Sequence, residues 1–207
     1  MTINEIDSAL ELPIMEHFYT IQGEGFHSGR AAYFIRIAGC DVGCVWCDVK
    51  ESWSASDHPI IKIDDLVDFV VSSGTEFAVI TGGEPTLYNL EVLTDKLREK
   101  GIEIALETSG CYELKGEVDW YCFSPKKFQA PHEEAYLKAH ELKVIISHPS
   151  DLEWANVHCK KLNNRSLRYL QPEWSKQERI LPLIVEYVKS NPSWKVSLQT
   201  HKFMNIP

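Results

Sequence analysis

Three thiols, Cys40, Cys44 and Cys47, fall within eight residues in the run Gly39-Cys40-Asp41-Val42-Gly43-Cys44-Val45-Trp46-Cys47-Asp48. The spacing C-x3-C-x2-C, just after a strand-like stretch, reads as a loop that turns its sulfurs toward one point. Free thiols acting only as small hydrophobes have no reason to cluster in this way. Thiolates are soft ligands, suited to zinc or to an iron–sulfur cluster. Structural zinc takes a fourth ligand, usually from a second Cys or His pair downstream, and no second C-x2-C or H-x3-H follows. Three ligands and an open fourth position suit a cluster with one exchangeable iron.

Other residues stand out by type and place. In Gln22-Gly23-Glu24-Gly25, two glycines flanking an acid predict a tight turn where backbone approaches something closely, either a ligand or the next strand of a hairpin. Arg36 stands alone among apolar neighbours, and a buried guanidinium needs an anion from the protein or from a ligand. Gly82-Gly83-Glu84-Pro85 follows another apolar run; its glycines admit close approach, and Glu84 offers a carboxylate to an ammonium group. Taken alone, that run is equally a strand-to-helix turn.

The elements that must position these groups alternate between strand and helix. Strand patterns cover residues 15–21, 33–38, 76–81, 102–107, 120–123, 142–146, 167–170 and 194–198. Helix patterns cover 65–72 with Asp64 as N-cap, 89–100 with Gly101 as C-terminal cap, 151–161, and 175–190, which Pro182 is expected to bend or shorten. Such alternation implies parallel pairing with right-handed crossovers, hence an α/β fold, a compact incomplete (β/α) barrel. In barrels of this kind chemistry collects at the C-terminal strand ends. Gln22, Cys40, Thr81, Glu84, Glu107, Ser124, Lys126, Gln171 and His201 all fall at or just beyond strand ends, a regularity that points to an enzyme.

The chain has 207 residues, 44% of them hydrophobic, enough for one sizeable core, and one domain over 1–207 is expected. No repeat or linker-like stretch interrupts it. Its 21 basic and 30 acidic residues give −9, which argues against a nucleic-acid partner. No apolar run is long enough to span a bilayer, and the acidic start MTINEIDSALELP lacks the pattern of a signal peptide, so a cytoplasmic protein is expected. Cys111, Cys122 and Cys159, scattered singly, read as ordinary buried thiols.

The cysteine spacing together with GGEP resembles the radical S-adenosylmethionine superfamily. The resemblance implies a 4Fe–4S cluster on Cys40, Cys44 and Cys47, S-adenosylmethionine on the open iron, and the GGEP loop at the methionine amino group. Further segments are similar to the 7-carboxy-7-deazaguanine synthase family: FYTIQGEG at 18–25, FIRIAGC at 34–40, TGGEP at 81–85, LETSG at 106–110, SPK at 124–126, LQP at 170–172 and QTHK at 199–202. The turn at 22–25 and the QTHK tail are its specific part. That family implies conversion of 6-carboxy-5,6,7,8-tetrahydropterin to 7-carboxy-7-deazaguanine with loss of ammonia. Carried over, Ile21, Gln22, Gly23, Glu24, Arg36, Thr81, Glu107, His201 and Pro207 face the substrate. Arg36 suits its carboxylate and Glu107 the guanidine-like edge of the pterin. Trp46, Cys47, Asp48, Gly82, Gly83 and Glu84 surround S-adenosylmethionine, and so do Ser124, Pro125, Lys126, Gln171, Pro172, Glu173 and Trp174. The resemblance also implies a homodimer and an external one-electron donor of flavodoxin or ferredoxin type.

One position departs from the family. A hydroxyl that binds magnesium there is replaced by Val49, which puts a protein-bound magnesium in doubt. Asp48 or substrate oxygens remain as donors, and Lys50 could supply positive charge instead. The tail 201–207 carries Phe203, Met204 and Ile206, whose apolar character predicts burial over the barrel mouth, with His201 and Pro207 reaching the substrate. Two alternatives stand beside this reading: an activating enzyme making a glycyl radical on a protein partner, and a zinc-binding module without catalysis.

Overall fold

The structure, a computed structural model, describes residues 10–207. The stretch read as non-secretory lies largely outside the described residues. Nine strands form one mixed sheet in the order β3-β1-β2-β4-β5-β6-β7-β8-β9. β1 (Glu11–Ile21) is antiparallel both to β2 (Ala31–Ile37) and to β3 (Ile60–Lys62). From β2 onward pairing is parallel, through β4 (Phe77–Gly82), β5 (Glu103–Thr108), β6 (Trp120–Phe123), β7 (Glu141–Ile146), β8 (Leu167–Pro172) and β9 (Lys195–Val196). β3 and β9 are the edges, so the barrel is unclosed.

Period-two alternation sorts the side chains of each strand. Ile35 and Ile37, Ala78 and Ile80, Ile104 and Leu106, Leu142 and Val144, and Leu170 all enter one large apolar core with the helices. The alternate residues face the other way and form a small core of Ala32, Val79, Ala105 and Phe77, flanked by Phe34 and Trp120. Farther along the same face come Arg36, Thr81, Glu107, Lys143 and Gln171, one polar residue each from β2, β4, β5, β7 and β8. The inner face is therefore apolar at one end and polar where the parallel strands finish.

The outer layer is built from α1 (Ile63–Ser72), α2 (Glu91–Glu99), α3 (Glu133–Lys138), α4 (Asp151–Cys159) and α5 (Gln177–Ser190). α1 buries Ile63, Leu66, Val67 and Val70, the spacing of one helical face. Its N-cap is Lys62 and no side chain caps it; Asp64 lies in the first turn and pairs with Lys96 at 2.5 Å, so the expected Asp64 cap is not made. α2 starts at Glu91, two residues later than its pattern suggests, because the Asn89 side chain accepts from the Glu91 N–H at 3.0 Å and turns the chain in. Gly101, at φ 74°, follows the helix end as expected. α5 runs through Pro182 without shortening: Pro182 and Glu178 are both exposed, so the carbonyl freed by the missing N–H is left to water.

Three short elements had no sequence signal: β3, α3 and the tail helix α6 (Thr200–Met204). The last strand is only Lys195–Val196, shorter than 194–198. Cys122 is buried as expected, whereas Cys111 and Cys159 are half-buried.

Candidate active site

β2 ends at Ile37 and the chain turns into the cysteine loop at Gly39, φ 102°, a conformation that favours glycine. The loop is held from below. The Tyr88 hydroxyl donates to the Ala38 carbonyl at 2.9 Å, the Gly39 N–H to the Ser52 carbonyl at 2.6 Å, and the Cys40 N–H to the Trp53 carbonyl at 3.1 Å. Tyr112 donates to Asp41, and Gln129 Nε2 donates to Tyr112 at 3.0 Å. Cys40, Cys44 and Cys47 are all free thiols and line one cavity. Val45, at the tip, is 70% exposed. Burial pushes the Cys44 thiol up to about 11, neighbouring sulfurs add to this, and Lys126 opposes it; burial raises Cys40 as well.

The GGEP turn lies against that loop. The Gly83 N–H donates to the Ile37 carbonyl at 2.8 Å and the Glu84 N–H to the Gly39 carbonyl at 2.9 Å. A Cβ on Gly82 would stand 2.0 Å from the Ile37 oxygen, so only glycine fits. Glu84 is 1% exposed, and its carboxylate is taken up by the protein. Oε1 accepts from the Thr86 N–H and from the Thr86 and Thr108 hydroxyls; Oε2 accepts from the Ser109 N–H and hydroxyl. Five donors fill the roughly four acceptor sites of a carboxylate. Glu84 thus staples the turn to the end of β5. The expected role of this carboxylate toward an ammonium group would be played beside these protein donors, and Gly82, Gly83 and Glu84 all line the cavity.

At the other end of the cavity, the Gln22–Gly25 turn meets the tail. Thr200 donates to the Gly23 carbonyl through both its N–H, at 2.9 Å, and its hydroxyl, at 3.0 Å. A Cβ on Gly23 would stand 2.2 Å from His201 Nδ1. Thr20 Oγ1 donates to the Pro207 carbonyl at 3.2 Å. Beneath the turn, Lys143 Nζ lies 2.7 Å from Glu24 Oε2 and 2.7 Å from Glu107 Oε2, and Gln199 Nε2 donates to Glu24 Oε1 at 2.9 Å. Burial would raise the Glu24 carboxyl, but the Lys143 charge and the hydrogen bonds outweigh it and hold it at about 2. Burial disfavours the Lys143 cation, yet the surrounding Cys122, Glu107, Glu24 and Glu141 keep its pKa well above the usual lysine value. Arg36 has its anion in Glu16, opposite it on β1, with Nε 2.6 Å from Oε1.

The radical SAM superfamily profile matches residues 34–138, which carry the cysteine loop and the GGEP turn. The 7-carboxy-7-deazaguanine synthase of Flavobacterium psychrophilum is 52% identical over 100% of both chains. That of Synechocystis is 43% identical, over 94% of this chain and 93% of its own. The chain belongs to the 7-carboxy-7-deazaguanine synthase family. The crystal structure of QueE from Escherichia coli superposes with a TM-score of 0.81 at 30% identity, covering 91% of this chain and 94% of that one. Neither the activating-enzyme alternative nor the zinc module finds support in these likenesses.

A member of this synthase family uses a 4Fe–4S cluster and S-adenosylmethionine. The donor set here fits such a cluster: three thiols from one loop share one wall of the cavity. Among the described residues no group of three or more His, Cys, Asp or Glu converges on a single ion. A cluster asks for less convergence, because each thiolate takes a different iron.

Of the residues singled out from the sequence, Ile21, Gln22, Gly23, Glu24, Arg36, Thr81, Glu107, His201 and Pro207 line the cavity. So do Trp46, Asp48, Gly82, Gly83, Glu84, Ser124, Lys126, Gln171, Pro172, Glu173 and Trp174. Pro125 does not: it turns the chain between Ser124, which is buried, and Lys126, whose Nζ lies 2.7 Å from Ser124 Oγ and 5.4 Å from the Trp46 ring. Val49 lines the cavity and brings no side-chain oxygen. Phe203 and Met204 are exposed and Ile206 is half-buried, so the tail's apolar residues are not buried over the mouth as expected. Instead α6 is anchored by Lys202, whose Nζ lies 3.1 Å from Asp48 Oδ2 and 4.9 Å from the Trp174 ring, and by the edge of Phe203 on Trp174.

Lys143 and Gln199 were missed from the sequence. Lys143 carried a signal: in β7, ELKVII, it is a lone cation in a strand, the same anomaly that marks Arg36.

Proposed function

We propose that this chain converts 6-carboxy-5,6,7,8-tetrahydropterin to 7-carboxy-7-deazaguanine and ammonia. What carries the reading is that the three thiols, the GGEP turn and the Gln22–Gly25 turn with His201 line one cavity, so cofactor and substrate share a single space. Family membership supports the reaction itself.

Held at Cys40, Cys44 and Cys47 and along the Gly82–Glu84 turn, the cluster and S-adenosylmethionine would supply radical chemistry that side chains lack. The protein's residues bind, orient and shield. Arg36 has Nε committed to Glu16, which fixes the plane of the guanidinium and leaves its Nη groups to fork onto the substrate carboxylate. Glu107 accepts from the N–H groups of the pterin ring. His201, which burial holds below the usual histidine value, is neutral near pH 7 and can donate or accept at the ring. Trp46 and Trp174 cover the adenosine side, and α6 with Pro207 excludes water from the reacting centre.

The finer assignments belong to the same proposal: one domain, an external one-electron donor of flavodoxin or ferredoxin type, a homodimer, and residence in the cytoplasm. No helix among the described residues is long and apolar enough to cross a membrane. Val49 offers magnesium no side-chain oxygen, and Asp48 or substrate oxygens remain as donors for it. The test is anaerobic turnover of the carboxytetrahydropterin by reconstituted, reduced protein, with mass spectrometry of the product and an ammonia assay. S-adenosylmethionine cleavage without either product would overturn the assignment.

A further inference from the structure

A lysine on the inner face of a sheet has to be accounted for, because an unpaired buried ammonium is costly. Lys143 is 3% exposed and borders the cavity. Its two carboxylate partners arrive from distant parts of the chain, Glu24 from the turn after β1 and Glu107 from the end of β5. The second oxygen of each carboxylate differs. Glu24 Oε1 accepts from Gln199 at 2.9 Å, whereas among the described residues the one donor to Glu107 Oε1 is Gln22 Nε2 at 3.5 Å. Glu24 is therefore held at both oxygens, and Glu107 is held at one, with the other as the acceptor still available in the cavity wall.

We infer that Lys143 is a positioning residue: by clamping Glu107 Oε2 against Glu24, it presents Glu107 Oε1 to the N–H donors of the bound pterin ring. The inference rests on the proposed reaction and adds the group that orients its acceptor. Glu107 Oε1 is then the oxygen of this cluster that meets an N–H edge of the ring. A plain charge-balancing role for Lys143 is the alternative, and it makes a different prediction.

The test compares wild type, Lys143→Met, Glu24→Gln and Lys143→Met/Glu24→Gln. The double variant removes one cation and one anion together, which keeps the balance of the cluster and tests the clamp even if Lys143→Met alone fails to fold. Wild-type turnover, measured first, decides the reaction itself, so failure there is distinct from failure of the inference. Losing a charge-assisted clamp is expected to raise KM for the carboxytetrahydropterin about ten- to a hundredfold in the double variant relative to Glu24→Gln. kcat, iron content and thermal midpoint should change far less. Wild-type KM in the charge-balanced double variant would mean that Lys143 only balances charge and would overturn the inference. So would a fall in kcat at unchanged KM.

Discussion

A methyl group on Gly83 would stand 2.2 Å from the carbonyl oxygen of Gly39, so the cofactor turn and the cysteine loop meet here with no room for a side chain. Gly83→Ala must push the two apart. Overpacking of this kind costs about 1–3 kcal/mol. The expected result is a lowered thermal midpoint and S-adenosylmethionine affinity weakened by about tenfold or more, with the β-sheet signature retained by circular dichroism. Calorimetric titration of the reconstituted protein checks it; wild-type affinity would show that the turns do not depend on this contact.

Changing Cys40, Cys44 or Cys47 to Ala removes one of three thiols that no other residue in the loop can replace. Each variant should lose most of its bound iron after anaerobic reconstitution and all reductive cleavage of S-adenosylmethionine. Iron and sulfide analysis beside the visible spectrum decides this, and a variant with full iron and full cleavage would remove that cysteine from the cluster.

The tail is tied at Thr200 to Gly23 and at Pro207 to Thr20. Deleting residues 205–207, or making His201→Ala, should lower carboxytetrahydropterin turnover by roughly tenfold or more, since small misplacements near the chemistry are costly. Iron content and thermal midpoint should stay close to wild type. Undiminished product formation by the shortened protein would take Pro207 off the substrate.

Because Val49 brings no oxygen to the cavity wall, turnover should depend weakly on magnesium. Rates after exhaustive chelation, with and without added Mg²⁺, measure this. Strict dependence would show that Asp48 and the substrate hold the ion unaided.

His158 is buried between Tyr136 and Trp154, and its Nδ1 lies 2.7 Å from the Tyr136 hydroxyl. Burial, with the nearby Lys161 charge, holds it at about 4, against 6.5 when unfolded. The unfolded chain therefore takes up a proton first as pH falls. The stability from this group is fully present above pH 6.5 and is lost between 6.5 and about 4. The thermal midpoint should drop less between pH 7 and pH 4.5 in His158→Phe than in wild type. His27 and His201, also lowered by burial, keep part of the slope in both proteins.

The cysteine loop and the GGEP turn were legible because their chemistry is local: spacing in a loop is spacing in space. The barrel was legible because alternation is local too. What failed was non-local. Arg36 announces that it needs an anion, but the choice of Glu16 depends on an irregular register of β1 against β2 between Ile14 and Glu16. Glu84 reads as a free carboxylate until Thr108 and Ser109 arrive from β5, twenty-four and twenty-five residues on. Phe203 and Met204 read as buried by composition, yet α6 turns only one side to the protein, and a helix of five residues leaves no periodicity to show which.

Glu84 is bonded to Thr108 and Ser109, and Thr108 follows Glu107 directly, so the cofactor turn and the pterin acceptor share one rigid junction. A junction of this kind is expected to couple the two ligands of the proposed reaction. By thermodynamic reciprocity, whatever factor S-adenosylmethionine adds to the affinity for the pterin, the pterin must return to S-adenosylmethionine. Thr108→Val, which removes the Thr108 hydroxyl from Glu84 and leaves the Ser109 bonds in place, is where that mutual dependence should weaken.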